Sequence, residues 1–247
     1  MPATRRPATL RPTVRAAGLP RGGRHPHTQA AVAASQRTRL LEGVAAVVAG
    51  KGFVAATVAD VIAAAGVSRR TFYEQFDRLE DCFVAAYEDG MARLFAAIRQ
   101  ALQAPPAATT WPERTRRAIQ AYLAALAAHP DATRAFTIET LGAGPEAQAQ
   151  RQRVLGEWVR QWRALQRLRE REQPGTPTLP DAVLVGLVGG LEEMVRDHLQ
   201  RRGARTLAAL APAATRFALA VLSQPGLDAG DFGRAASDSS ADTPGHD

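Results

Sequence analysis

Residues 57–76 read TVADVIAAAGVSRRTFYEQF, and this stretch decides the fold. It holds two short runs of apolar residues at helical spacing, separated by Ala65-Gly66-Val67. Thr57 and Ser68 are residue types that cap the N-terminus of a helix, and Gly66 is the type favoured where a helix ends in a turn. The stretch therefore predicts two short helices joined by a tight turn.

The second of these helices is predicted to carry polar side chains on its outer face. They are Arg69, Arg70, Thr71, Tyr73 and Gln75. A helix-turn-helix reads DNA with such residues, because its second helix lies in the major groove and arginine can pair with guanine there. The N-termini at Thr57 and Ser68 would also offer backbone N–H groups to phosphates. A solvated helical hairpin without a partner would show the same spacing, so the spacing leaves both interpretations open.

Helical spacing continues on both sides of this stretch and predicts an all-α protein of about nine helices. No long alternation of apolar and polar residues supports a sheet. Beyond the two short helices, the predicted ranges are 36–50, 78–102, 112–129, 131–142, 145–172, 181–202 and 204–223, the last with a bend at Pro212.

The two ends of the chain differ in charge from the middle. The formal net charge is +7; residues 1–34 hold six arginines and no acid, and residues 224–247 hold five aspartates and one arginine. The N-terminal composition fits either a disordered basic tail or an organellar transit peptide. Its prolines would break the amphipathic helix of a transit peptide, so we favour a disordered tail, and the acidic end is predicted to be disordered as well.

Composition argues against several other classes of protein. Cys82 is the single cysteine, which excludes an internal disulfide and a cysteine-based zinc site. The five histidines show no ligand spacing, and no phosphate-binding glycine loop follows a strand, so we expect no enzyme, metal or cofactor. No run approaches the roughly 20 apolar residues of a membrane span. The single cysteine also fits the reducing interior of a cell.

Residues 37–87 closely resemble the N-terminal domain of the tetracycline-repressor (TetR) family of regulators. The resemblance rests on Gly52-Phe53, Thr57, the AGVS run at 65–68, Thr71, Tyr73 and Phe76. It implies a helix-turn-helix domain at residues 35–80 and a helical effector-binding and dimerisation domain at residues 81–223.

The resemblance also implies roles for individual residues on DNA. Thr57 and Tyr73 would contact phosphates, and Arg69, Arg70 and Thr71 would lie at the base edges. The family commonly has histidine before Phe76 and lysine three residues after it, where this chain has Gln75 and Leu79. Gln75 can still donate to a phosphate, and Arg78 is expected to replace the missing lysine.

Two further sets of residues are predicted from the C-terminal helices. An effector pocket would be lined by Tyr87, Met91, Tyr122, Phe136, Trp158 and Trp162. A homodimer seam would be formed by Val185, Val188, Leu191, Val195, Leu210, Phe217 and Val221, because one recognition helix spans too few base pairs for genomic specificity. Trp158 and Trp162 also fit an ordinary core stripe.

The sequence thus predicts a transcriptional regulator that binds double-stranded DNA at a palindromic operator as a homodimer. The resemblance implies that it is a bacterial cytoplasmic, nucleoid-associated protein. A repressor released by an unknown small-molecule effector is the favoured interpretation. An activator or an architectural DNA-binding protein on the same fold is the alternative, and the sequence does not separate them.

Overall fold

The computed structural model describes residues 26–104 and 110–223. The chain divides into two units, residues 1–35 and 36–247, and the packing below belongs to the second. Every regular element in the described ranges is helical, which confirms the all-α prediction. The α-helices are α1 Pro26–Lys51, α2 Val58–Ala65, α3 Arg69–Tyr73, α4 Leu79–Gln103, α5 Trp111–Ala128, α6 Pro130–Arg134, α7 Pro145–Glu172, α8 Asp181–Arg202 and α9 Ala211–Leu222.

The observed start of α1 corrects one prediction. The helix begins at Pro26, ten residues before the expected position, so the disordered tail predicted for residues 1–34 is too long. Proline suits the first turn of a helix, where no N–H is needed, and residues 30–34 are alanine-rich. The rest of that prediction, and the predicted acidic tail, lie outside the described residues.

Two predicted helices are broken into shorter elements. The range 131–142 forms α6, a π-helical turn Ala135–Glu139 and a 3₁₀ turn Thr140–Gly142. The range 204–223 forms a 3₁₀ helix Ala204–Leu210 followed by α9. Pro212 therefore does not bend a continuous helix; it lies in the first turn of α9, where its missing N–H costs nothing.

Two apolar cores hold these helices together. The first joins α1 to α4 around Leu40, Phe72 and Phe83, and it also includes Phe136 from the π-helical turn. The second lies among α4, α5, α7, α8 and α9. The helix-turn-helix is therefore packed against the C-terminal helices through a shared element rather than tethered by a loop.

The crossing of α8 and α9 depends on a glycine. A Cβ atom at Gly190 would lie 2.6 Å from the ring of Phe217, whereas at Gly189 it would meet nothing within 4 Å. Gly190, but not Gly189, therefore allows α8 and α9 of the same chain to pack closely.

We predict that Gly190→Ala lowers the free energy of unfolding by about 1–3 kcal/mol, because the Phe217 ring must move. Gly50→Ala is the control. It adds a methyl group to α1 where nothing lies within 4 Å, so it should raise stability by up to about 1 kcal/mol. Urea unfolding followed by circular dichroism measures both, and equal effects of the two substitutions would contradict the packing described.

Candidate nucleic-acid interface and effector cavity

The turn between α2 and α3 is held by the helix-capping residues that the sequence predicts. Thr57 accepts a hydrogen bond from the backbone N–H of Asp60, and the Asp60 carboxylate accepts from the N–H and hydroxyl of Thr57. Lys51 donates to the same carboxylate at 2.7 Å. The bonds from Lys51 and Thr57 lower the pKa of Asp60 to about 2, so the cap stays ionised near neutral pH. Gly66 ends α2 at φ 61°, in the left-handed region that suits glycine.

Arg39 is part of this turn, and sequence reasoning missed it. Its Nη1 donates to the carbonyl oxygens of Ala65 and Gly66 at 3.3 and 3.2 Å. These carbonyls lie at the C-terminal end of α2, where cations are favourable. Arg39 thus ties α1 to the turn. Arg39 and Ala65 are 26 residues apart in the sequence, so no local sequence pattern predicts this contact.

Helix α3 presents its basic and aromatic side chains to solvent. Ser68 caps it by accepting from the N–H of Thr71 at 3.0 Å, and Phe72 is fully buried beneath it. The Arg69 guanidinium lies 5.7 Å from the centre of the Tyr73 ring, which is itself 46% exposed. Arg70 forms an exposed ion pair with Glu74. Such surface pairs contribute little, so Arg70 can exchange this partner for a phosphate or a base.

Four other residues predicted to touch DNA are placed less favourably. Thr57 donates its hydroxyl hydrogen to Asp60, and the Thr71 hydroxyl is paired with that of Ser68 at 2.9 Å, while Gln75 is half-buried.

Arg78 is within ion-pair distance of three carboxylates, Glu80, Asp81 and Glu146. Asp81 and Glu146 raise the pKa of Arg78. Arg78 therefore links α4 to α7 in this structure, and its contact with DNA stays a prediction. The six tail arginines lie outside the described residues.

The predicted effector-pocket residues line two adjoining cavities. Tyr87, Met91, Tyr122, Phe136 and Trp158 line the first, whose space of about 490 Å³ includes open solvent. Trp162 lines the second, a space of about 390 Å³ that also includes open solvent and shares Tyr122, Trp158 and Glu192 with the first. Trp162 is also buried in the C-terminal core, so the two interpretations of the tryptophan pair are compatible. Burial raises the pKa of the Tyr87 and Tyr122 hydroxyls, which therefore stay neutral.

Phe136 connects this cavity to the helix-turn-helix. Its ring lies 5.6 Å from that of Phe83 and 5.2 Å from that of Tyr87, between centres. A Cβ atom at Gly90 would lie 2.9 Å from the same ring, so α4 approaches closely there. π-Helical turns such as the one that holds Phe136 are frequent at functional sites.

Polar contacts on either side of Phe136 reach the end of α1. Arg134 donates to the carbonyl oxygen of Ala49 at 2.9 Å, and Glu139 accepts from the N–H of Phe53 at 3.2 Å. The segment that walls the cavity therefore also holds the connection between α1 and α2.

The predicted dimer residues do not share one exposed face. Val185 is 41% exposed, but Val188, Leu191 and Val195 are buried in the core of their own chain, and Val188 and Leu191 line the smaller cavity. Leu210, Phe217 and Val221 are half-buried. Those three buried α8 residues are therefore unsuitable as seam residues, which corrects the prediction. The exposed apolar residues in the N-terminal half of α8 are instead Ala182, Val183, Val185, Gly186 and Gly189.

The remaining chemistry in the described residues is sparse. No group of three or more histidine, cysteine, aspartate or glutamate side chains there is arranged to hold a metal ion. Cys82 is fully buried with its Sγ 3.8 Å from the carbonyl oxygen of Leu40, and burial raises the pKa of its thiol to about 12. Cys82 thus occupies the position of a small core residue.

One described segment has the length and apolar composition of a membrane span, contrary to the sequence-based expectation. It is Ala204–Leu222, with a mean hydropathy of 1.3. Its 3₁₀ half and α9 both pack against α5, which accounts for part of its apolar composition. A single such segment is weak evidence for a membrane protein, because core helices meet the same criteria.

Comparisons with known proteins agree with this architecture. Residues 40–86 match the family model described as bacterial regulatory proteins, tetR family. No curated protein matches the chain in sequence. The fold is similar to that of the fatty acid degradation regulator FadR from Bacillus halodurans, at 20% identity and a TM-score of 0.67 over 74% of this chain and 94% of that one.

Two further solved structures share the fold. FadR from Bacillus subtilis, solved in complex with stearoyl-CoA, is 14% identical with a TM-score of 0.63 over 74% of this chain and 98% of that one. The TetR-family regulator PfmR from Thermus thermophilus is 20% identical with a TM-score of 0.58 over 74% of this chain and 95% of that one. The tetR-family model thus matches the helix-turn-helix over residues 40–86, and the chain as a whole shares the fold of these solved regulators.

Proposed function

We propose that this DNA-binding regulator is a homodimeric repressor that a small-molecule effector releases from a palindromic operator in the bacterial cytoplasm. The observation that carries the proposal is the position of Phe136, which belongs to the core of the helix-turn-helix and also walls the internal cavity. A ligand that displaces this ring acts on both regions at once. An activator would use the same parts, and the position of the operator relative to the promoter separates the two.

The reading surface of the proposed repressor is the exposed face of α3. Arg69, Arg70 and Tyr73 are available to bind DNA, because their contacts with neighbouring side chains lie on the exposed surface of α3. The hydroxyls of Ser68 and Thr71, in contrast, are hydrogen-bonded to each other. Arginine at the start of the recognition helix favours guanine, and the tyrosine hydroxyl suits a phosphate oxygen.

Release would follow from a change in the geometry of the reading surface. An effector can lower DNA affinity only by binding better to a state in which the recognition helices no longer fit the operator. Displacement of Phe136 would move the π-helical turn, and Arg134 and Glu139 would pass that movement to the end of α1 and to Phe53. The position of α3 over the DNA would then change.

A second copy of the chain is the expected partner of α8 and α9. Val183 and Val185 are 38% and 41% exposed on α8, and Gly186 and Gly189 leave open space beside them. The segment Ala204–Leu222 is apolar, yet only 28% of its most apolar window is buried within the chain. Exposed apolar surface of this kind marks an interaction site, and a two-fold partner would bury it and supply a second recognition helix.

We predict that Arg69→Ala and Arg70→Ala each cost about 1–3 kcal/mol of binding energy at particular base pairs and relax specificity there. Tyr73→Phe should weaken all sequences nearly equally. Arg78→Ala is the control, because its carboxylate partners lie within the protein; it should lower thermal stability and leave the preferred site unchanged. Selection from random DNA measures the preferred site of each variant. A wild-type protein that enriches no sequence would contradict the proposal.

For the dimer, we predict that Val185→Glu yields monomers of unchanged helicity. Loss of the linked second half-site should lower affinity for a palindrome by about 100-fold or more. Leu141→Glu replaces another apolar residue, 58% exposed and far from α8 in sequence, and should remain dimeric. Sedimentation at micromolar concentration separates the outcomes. A wild-type monomer that binds the palindrome tightly would exclude the dimer.

A further inference from the structure

Resting on the effector-release function proposed above, we propose that the effector is a small uncharged aromatic compound that carries a hydroxyl group. The aromatic part would pack against Trp158, and the hydroxyl group would bond to Glu192 and to Tyr122 or Tyr87. All four of these residues line the first of the two cavities, together with Phe136.

Two tyrosine hydroxyls in the first cavity are open to a ligand. Tyr87 and Tyr122 both line it, and neither hydroxyl has a hydrogen-bond partner among the described residues. Neither hydroxyl is among the fully enclosed polar atoms without a partner, so both reach open space. Burial raises the pKa of both hydroxyls, so each stays neutral and can donate or accept a hydrogen bond. Since buried polar groups are normally hydrogen-bonded, these hydroxyls indicate a polar partner that the chain does not supply.

Glu192 supplies a hydrogen-bond acceptor near these hydroxyls. It lines both cavities, and its charge helps to raise the pKa of Tyr87 and of Tyr122. Its Oε2 accepts from Arg151, whereas its Oε1 accepts no hydrogen bond from a described residue. An ionised carboxylate can only accept, so the group that Oε1 lacks is an O–H or N–H donor. A ligand hydroxyl meets both needs, because it donates to Glu192 and accepts from a tyrosine.

The charges in the wall of the first cavity disfavour an ionic ligand. Glu192 and Arg151 form an ion pair in which both side chains are about three-quarters buried. Arg196, the remaining charged residue of this wall, pairs with Glu193, which does not line the cavity. A ligand with a net charge would bring an unmatched ion into this site, and the cost of removing that ion from water would weaken its binding. An uncharged ligand avoids this cost.

The rings in the wall favour an aromatic ligand. Trp158 and Tyr122 line both cavities, and their rings meet edge to face with centres 5.4 Å apart. Tyr87 and Phe136 form a second aromatic pair, with centres 5.2 Å apart. Pairs of aromatic rings attract each other beyond the effect of surface burial, so a ligand ring gains more here than an alkyl chain does. A ring in this cavity would also contact the wall that includes Phe136, which connects the ligand to the release mechanism.

Calorimetric titration of the full chain tests the ligand class. The hydroxylated probes are β-naphthol and para-phenylphenol. In the comparison set, naphthalene lacks the hydroxyl group, β-naphthoate is an anion, β-naphthylmethylammonium is a cation, and decyl alcohol is an uncharged alcohol without a ring. We expect at least one hydroxylated probe to bind, and the comparison compounds to bind more weakly by roughly tenfold or more. Binding of neither hydroxylated probe, or equal binding of any comparison compound, would overturn the proposal.

Tyrosine variants test the hydrogen bond to the ligand. Tyr122→Phe and Tyr87→Phe keep the ring and remove the hydroxyl. At least one of them should weaken binding of the hydroxylated probe by about three- to tenfold, the effect of one lost hydrogen bond, and should leave naphthalene binding unchanged. Unchanged binding of the hydroxylated probe in both variants, or an equal loss for naphthalene, would contradict the assignment.

A glutamate variant tests the acceptor. Glu192→Gln keeps the size of the side chain and removes its charge, so binding of the hydroxylated probe should weaken by roughly tenfold. Glu193→Gln is the matched control, because Glu193 is the neighbouring exposed acid and does not line either cavity. Equal losses in the two variants would exclude Glu192 as the acceptor. Since Glu192→Gln also breaks the ion pair with Arg151, the tyrosine variants provide a test that does not depend on that pair.

The outcome is separable from that of the release function. A hydroxylated probe that binds through Glu192 and a tyrosine but leaves operator affinity unchanged supports the ligand class and overturns effector release. An operator-binding dimer that binds neither hydroxylated probe overturns the ligand class alone.

Discussion

The contact of the Phe136 ring with Phe83, Tyr87 and the backbone of α4 at Gly90 is the constraint on which the rest of the structure depends. A helix-turn-helix of about fifty residues buries little apolar surface by itself, and here its core is completed by residues from the C-terminal half. Aromatic edge-to-face packing is directional, so the ring defines where α4 and the π-helical turn lie relative to each other. A glycine at position 90 is what allows that approach. Because packed cores shift between discrete arrangements rather than deform smoothly, a change at this ring has consequences for both halves.

Near the reading surface, the hydrogen-bond and ion-pair partners of each arginine indicate whether it stabilises the fold or is available to bind DNA. Arg39 satisfies carbonyl oxygens at the turn, and Arg78 is bound by acids from α4 and α7. Arg69, which lies against the Tyr73 ring, and Arg70, in a weak surface pair, remain on the open side of α3. Net charge alone does not make this distinction. The positions of the neighbouring carboxylates do.

Much of this could be predicted from the sequence, and the exceptions have physical reasons. Capping residues and Gly66 act on their neighbours, so α2, α3 and the turn were predictable, as were the ranges of α7 and α8. The π-helical turn was not predictable, because the sequence of residues 135–139 shows the same helical spacing as an ordinary α-helix. The buried face of α8 was not predictable either. Val185 and Val188 belong to a segment that is apolar on both sides, so hydrophobic periodicity does not show which side packs on the core of the chain and which is exposed to solvent. Contacts such as Arg39 to Gly66 and Glu139 to Phe53 join residues distant in sequence, and no local signal reports them.

In the proposed mechanism, occupation of the cavity changes the separation of two recognition helices in a dimer. Spin labels at Asp77→Cys, an exposed position just after α3, report that separation by double electron–electron resonance, while the native Cys82 is fully buried. On operator DNA the account predicts one narrow distance near a single turn of B-DNA, about 34–36 Å. An effector bound in the cavity should shift or broaden this distance in the same protein. An unchanged distribution with the ligand bound, or no dipolar coupling between labels at all, would contradict the account.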